Sequence, residues 1–123
     1  MAKTVAFQVP ITVTAAAGQV VHQPDSGWLD TEDAMEAAFD YTVLQNTDTT
    51  NAALSLQTAA SPGGPWFFLC SLVAVPAAAG ARNYASGRED ATAHLQRYVR
   101  WVAGGAGTTA AWTMCFRICA TLR

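Results

Sequence analysis

Charge is scarce in this chain: only 13% of its 123 residues are Asp, Glu, Lys or Arg, and the formal net charge is −2. A general grip on nucleic acid needs a basic face that neutralises phosphates, so DNA and RNA are poor candidates as direct partners. Long apolar runs are also missing. No stretch approaches the roughly 18 consecutive apolar residues of a membrane span, and the N-terminus lacks the basic segment and apolar run of a secretory leader. The expectation is a soluble, unsecreted protein with no membrane partner.

Histidine is limited to His22 and His94, and neither sits in a motif that would activate a Ser or Cys nucleophile. The glycine stretches Gly63-Gly64 and Gly104-Gly105-Ala106-Gly107 lack the Lys and Ser/Thr of a phosphate loop, and both read as hairpin turns. Cysteine comes as an odd three, Cys70, Cys115 and Cys119, without a CxxC pair or a neighbouring His. That excludes a disulfide framework and a zinc site, and suits buried free thiols in a reducing cytoplasm. If Cys115 and Cys119 share a strand, their Cα atoms lie roughly 13 Å apart, beyond the reach of a disulfide. The acids Asp30, Glu32, Asp33 and Glu36 match no calcium-loop spacing and read as a solvated loop. No enzyme activity, metal or cofactor is expected.

What the chain has is core material, since 51% of its residues are hydrophobic, enough for one domain of this length. Thr4 to Val13 is β-rich but carries Pro10, which removes a ladder donor and is confined to edges or bulges. It reads as an edge strand or an extended arm. Gln19 to His22 makes a second short extended piece. Gln23 to Asp33 has loop composition, with Trp28 and Leu29 as its anchors. Phe39, Tyr41 and Val43 then alternate with polar residues, and beyond the polar stretch Asn46 to Asn51 come Leu54 and Leu56 on one face. Those two strands read as a hairpin.

Ser61-Pro62-Gly63-Gly64-Pro65 is the strongest turn signal, and the apolar run Trp66 to Val75 after it reads as a fully buried strand. Pro76 to Asp90 has no clear period and reads as a long surface excursion that carries contacts. His94 to Ala103 resumes a strand. In the last segment Trp112, Met114, Phe116, Ile118, Ala120 and Leu122 alternate strictly with Thr113, Cys115, Arg117, Cys119 and Thr121. Short strands joined by Gly/Pro turns, with no long helix, predict an all-β chain folded as an antiparallel β-sandwich or jelly roll. Residues 1–22 form an N-terminal extended arm with the first strands, and 23–123 the sandwich core.

Charge is uneven along the chain. Residues 1–61 hold Lys3 against seven acids and residues 62–123 hold six arginines against Glu89 and Asp90, so the halves carry −6 and +4. Segregated on the surface, such halves would let copies meet acidic face to basic face; interleaved strands would mix them. The single lysine against six arginines suits an interface-rich surface, and a GC-rich genome accounts for it equally well.

Three motifs stand in a fixed order: G-W-L-D-T at Gly27 to Thr31, L-S-L-Q-T-A-A-S-P-G-G-P-W from Leu54 to Trp66, and R-Y-V-R-W from Arg97 to Trp101. From Gly27 to the C-terminus the chain resembles small β-sandwich structural proteins of tailed bacteriophages, of the head decoration or cement type. The resemblance implies a virion component on the capsid exterior, assembled in the host cytoplasm, that clamps neighbouring major capsid protein subunits. It also implies a homo-oligomer, dimer or trimer, without catalytic residues. Capsid or subunit contacts are then expected from Val5, Phe7, Val9 and Ile11 on the N-terminal segment, which could add a strand to a neighbour's open edge, and from Arg82, Tyr84 and Arg88 on the excursion. The segment's other reading is an ordinary first strand. The alternative function is a carbohydrate-binding or adhesin-like module of a tail or fibre, with Trp28 and Trp66 as its platform; the plainer role for both tryptophans is core packing.

Overall fold

The computed structural model describes residues 3–31, 34, 36–72, 74, 79–85 and 95–123, with backbone only for Asp25 and residues 79–85. Nine strands, β1 (Lys3–Ala15), β2 (Val20–His22), β3 (Leu29–Asp30), β4 (Glu36–Asn46), β5 (Ala53–Ala59), β6 (Phe67–Leu72), β7 (Ala79–Ala85), β8 (Tyr98–Gly104) and β9 (Trp112–Leu122), form two antiparallel sheets. The front sheet runs β1-β9-β4-β7 and the back sheet β2-β8-β5-β6, with β3 pairing β8 beyond the end of β2.

The pairing is nested. β1 lies beside β9, β2 and β3 beside β8, β4 beside β7, and β5 beside β6. One long antiparallel ribbon therefore wraps around the core, which is the winding of a jelly roll. The charged halves interleave strand by strand in both sheets, so the segregation of acidic and basic faces does not arise.

Period-two alternation fixes which face each strand buries. On β9 every second residue from Trp112 to Leu122 is buried, and Phe39, Tyr41 and Val43 of β4 join that layer. Leu54 and Leu56 of β5 and Val99, Trp101 and Ala103 of β8 meet it from the back sheet. Trp101 packs edge-on against Phe116 with ring centroids 5.0 Å apart, so one aromatic contact joins the two sheets. Each large side chain buried this way contributes about 1.5–3 kcal/mol relative to leaving it in water.

Buried polar groups are satisfied at the points where the chain changes course. Trp101 Nε1 donates to Gln8 Oε1 at 2.9 Å, and Trp112 Nε1 to the Gln19 carbonyl at 3.3 Å. Asn46 donates from Nδ2 to the carbonyls of Ala52 and Ala74 and accepts from the Asp48 amide, which fixes the passage from β4 to β5. Gly104 turns the chain out of β8 with φ +105°, where a Cβ would stand 2.4 Å from the Trp112 ring. Only glycine fits there.

Five expectations change. Asn46 to Asn51 is not a hairpin loop, because β4 and β5 lie in different sheets. Gly104 to Gly107 likewise crosses from the back sheet to the front. Side-chain alternation cannot tell a sheet-to-sheet corner from a hairpin, since both join strands of the same pattern. Among the described residues after Trp66, the apolar run forms an edge strand, not a fully buried one: a bulge opposite Leu56 and Gln57 leaves Phe67 and Phe68 each 50% exposed. Within the excursion, residues 79–85 are strand β7, held by the β4 ladder, and 86–90 lie outside the described residues. Of the three cysteines, Cys70 is buried while Cys115 and Cys119 stand half-buried on the outer side of β9.

Candidate functional site

The back sheet's outer face collects the large side chains that the core does not take. Its centre is Arg100 on β8, whose alternation turns Val99 and Trp101 inward and leaves Tyr98 and Arg100 outward. Trp28 reaches this face from the loop before β3. Gln23 fixes it there: the Gln23 side chain donates to the Gly27 carbonyl at 2.6 Å, and Trp28 Nε1 donates to the Gln23 carbonyl at 3.0 Å. Gln23 is itself tied to the Trp101 backbone on both sides, so the loop is anchored on β8.

Trp66 arrives from the opposite side of the sheet. The Ser61 to Pro65 turn is closed by the Gly64 amide donating to the Ser61 carbonyl at 3.0 Å, and Gly64 takes φ +79° to deliver the chain to Trp66. The two indoles, 38 positions apart in sequence, meet edge to face with centroids 4.7 Å apart. Arg100 lies over the Trp66 ring at 4.3 Å and 5.9 Å from the Trp28 ring, while its Nε donates to Gln57 Oε1 at 2.8 Å. A cation over an indole face is attracted by the ring quadrupole, worth about 0.5–1 kcal/mol at a partly exposed site.

The electrostatics follow from this packing. Burial lowers the Arg100 pKa, and burial followed by the charge of Arg100 pushes the His22 imidazole below its ordinary value. His22 is therefore neutral at pH 7. At the other end of the face, Arg97 makes a two-pronged contact with Asp30, at 3.0 and 3.1 Å, and lies 5.2 Å from the Tyr98 ring centre. Against Trp28 and Tyr98 is an open depression of about 390 Å³, lined also by Ser26 and Pro62. Trp28 also borders a smaller hollow of about 180 Å³, shared with Lys3, Val5, Phe7 and Asp30.

The predicted contact residues are more scattered. Phe7 is a core side chain, 6% exposed and packed on Phe39, which removes it from the contact set; Val5 and Ile11 pack partly against the core. Val9 alone of the four projects, 62% exposed, where β1 is bulged around Pro10. Arg82 and Tyr84 stand opposite Phe39 and Ala37 in the β7 ladder, and Arg88 lies outside the described residues. Trp28 and Trp66 do come together. Sequence reasoning missed Arg100, Gln57 and Tyr98, although the alternation in R-Y-V-R-W already marked Tyr98 and Arg100 as facing away from the core.

No family model matches the chain, and no curated protein matches it. Solved structures match across nearly the whole chain at low identity. A CBM4 structure shares 12% of residues over 94% of this chain and 89% of its own, with a TM-score of 0.50. The crystal structure of PirA matches at 14% identity over 92% and 91%, TM-score 0.44. A protein of the disulfide-linked pili of Bacillus endospore appendages matches at 13% over 100% and 92%, TM-score 0.43. The CBM4 likeness is one of fold: an all-β sandwich, as the strand order already requires.

Proposed function

We propose that this chain is a structural protein of a phage virion, a head decoration protein that binds the capsid exterior and stabilises contacts between major capsid subunits. The observation that supports this reading is the open edge of the front sheet. β1 is 13 residues long and, among the described residues, pairs on one side only, with Val9 projecting at its bulge. Such a strand presents unpaired amides and carbonyls along its length, and an edge of that kind takes a strand from a neighbour. At the far side of the same sheet β7 offers a second edge, carrying Arg82 and Tyr84. A sandwich whose front sheet ends, among the described residues, in two unpaired edges suits a place between shell subunits or copies of itself. The reading assigns no catalytic residue and no cofactor, and places the protein on the virion after assembly in the host cytoplasm.

The test is rebinding of purified protein to capsids stripped of it. Val9→Asp puts a charge at the projecting point of β1 without touching the core, and occupancy should fall while the melting curve stays in place. Unchanged occupancy would remove β1 from the contact.

One observation favours a second reading, a carbohydrate-binding or adhesin-like module of a tail or fibre. Trp28 and Trp66, drawn from distant turns, are held in contact on a surface instead of in the core.

A further inference from the structure

We infer that the depression beside Trp28 binds a carboxylate-bearing sugar, with the ring stacked on Trp28 and Tyr98 and the acid on Arg100. This deepens the second reading above and rests on it. The depression falls within the size of small-ligand sites, about 300–1,000 Å³, and its lining has the composition a pyranose asks for. Trp28, Tyr98 and the Pro62 ring supply apolar surface for the C–H face of a sugar, and Ser26 and Tyr98 supply hydroxyls for its edge.

Charge selects among sugars. Of Arg97, just before β8, and Arg100, on it, Arg97 is neutralised by the bidentate contact with Asp30. Arg100 forms no ion pair with a described residue. Its one hydrogen bond there uses Nε, toward the neutral Gln57, so its terminal nitrogens are engaged with no described side chain. Stacking on Trp66 fixes the guanidinium plane, and fixing that plane ahead of binding reduces the entropy lost when it grips a carboxylate. His22, close enough to feel that charge, is uncharged at neutral pH and adds no second cation. The face therefore offers a preorganised positive group, with no ion-pair partner among the described residues, next to stacked aromatic rings, a match for a hexuronate and a poor match for a plain hexose chain.

The experiment is calorimetric titration of the intact protein with polygalacturonate and with its fully methyl-esterified form, which keeps the backbone and loses the charge. The acidic polymer should bind and the ester should bind at least about tenfold more weakly, the scale of one charge-assisted hydrogen bond. Arg100→Gln should abolish that preference, and Trp28→Ala should abolish binding to either polymer. Trp28→Phe, which keeps an aromatic floor, should recover part of the affinity and guards against a folding defect in the alanine variant. Equal binding of acid and ester overturns the inference and leaves the glycan reading standing. Binding of neither polymer, with capsids captured through Trp28, overturns both and makes this face a protein-docking surface.

Discussion

The two outer faces of the sandwich are built from different chemistry, although the same alternation generates both. On the front sheet many outward positions of β9 and its neighbours are small: Thr113, Cys115, Cys119 and Thr121 beside Thr12, Thr14 and Thr42, with Glu36, Asp40 and Arg117 among the charges and Val9 and Leu44 as exposed apolar side chains. Threonines pair across strands there, Thr14 with Thr113 at 3.2 Å and Thr4 with Thr121 at 3.4 Å. β-branched side chains that satisfy one another make a flat, stable sheet surface and leave little for a ligand to hold. The back face carries Trp28, Trp66, Tyr98, Arg100 and Phe68: the two indoles meet with Arg100 over them, and Phe68 stands opposite Gln57 in the β5–β6 ladder. Apolar rings gathered at a surface mark a place of contact, because a monomer gains more by burying them. On the two readings proposed above, the front sheet would serve support and edge pairing and the back face recognition.

Removing what the two faces share should have the largest effect. Trp101→Ala deletes the ring that joins the sheets against Phe116, and urea unfolding should show a loss of about 3–5 kcal/mol, with both faces melting together. Next comes a change confined to the back face. Trp66→Ala removes the indole contact and the seat of Arg100, for roughly 1–2 kcal/mol of stability. Near-ultraviolet circular dichroism should lose the coupled indole signal while the far-ultraviolet strand signal persists. A stability loss as large as that of Trp101→Ala would mean that the cluster is part of the core and not a separate surface.

Much of this division was legible in the residues. The alternation in β9 and β4 gave the buried set correctly, since a one-residue slip would have put Trp112 and Phe116 in water. Pro10 marked the bulged edge strand. The sheet partners were not legible, because an alternating strand does not record whether the next turn keeps it in one sheet or carries it to the other. For the same reason the joining of Arg100 to Trp28 and Trp66 was invisible: it depends on β5, β6 and β8 being neighbours, which local pattern does not encode. β7 was hidden by its composition, as the Ala- and Gly-rich stretch has little strand propensity and is held by pairing with β4.

Smaller effects sharpen the contrast further. Asp30→Asn breaks an exposed ion pair at the rim of the back face, for about 0.2–1 kcal/mol, and the difference from wild type should vanish in high salt. The smallest effect is a pH slope. His22 has its pKa lowered by folding, so the unfolded chain binds the proton more tightly, and stability declines as pH falls below the ordinary histidine value of about 6.5. Thermal melts at a series of pH values should show that decline shallower in His22→Gln; an identical decline would mean that other groups cause it.

The most direct test of the proposed virion role is the copy number of this protein in purified phage particles, by quantitative mass spectrometry against the major capsid protein. A decoration protein occupies symmetry-equivalent sites, so the account predicts a fixed simple ratio to the capsid subunit. A few copies per particle, or none, would contradict it.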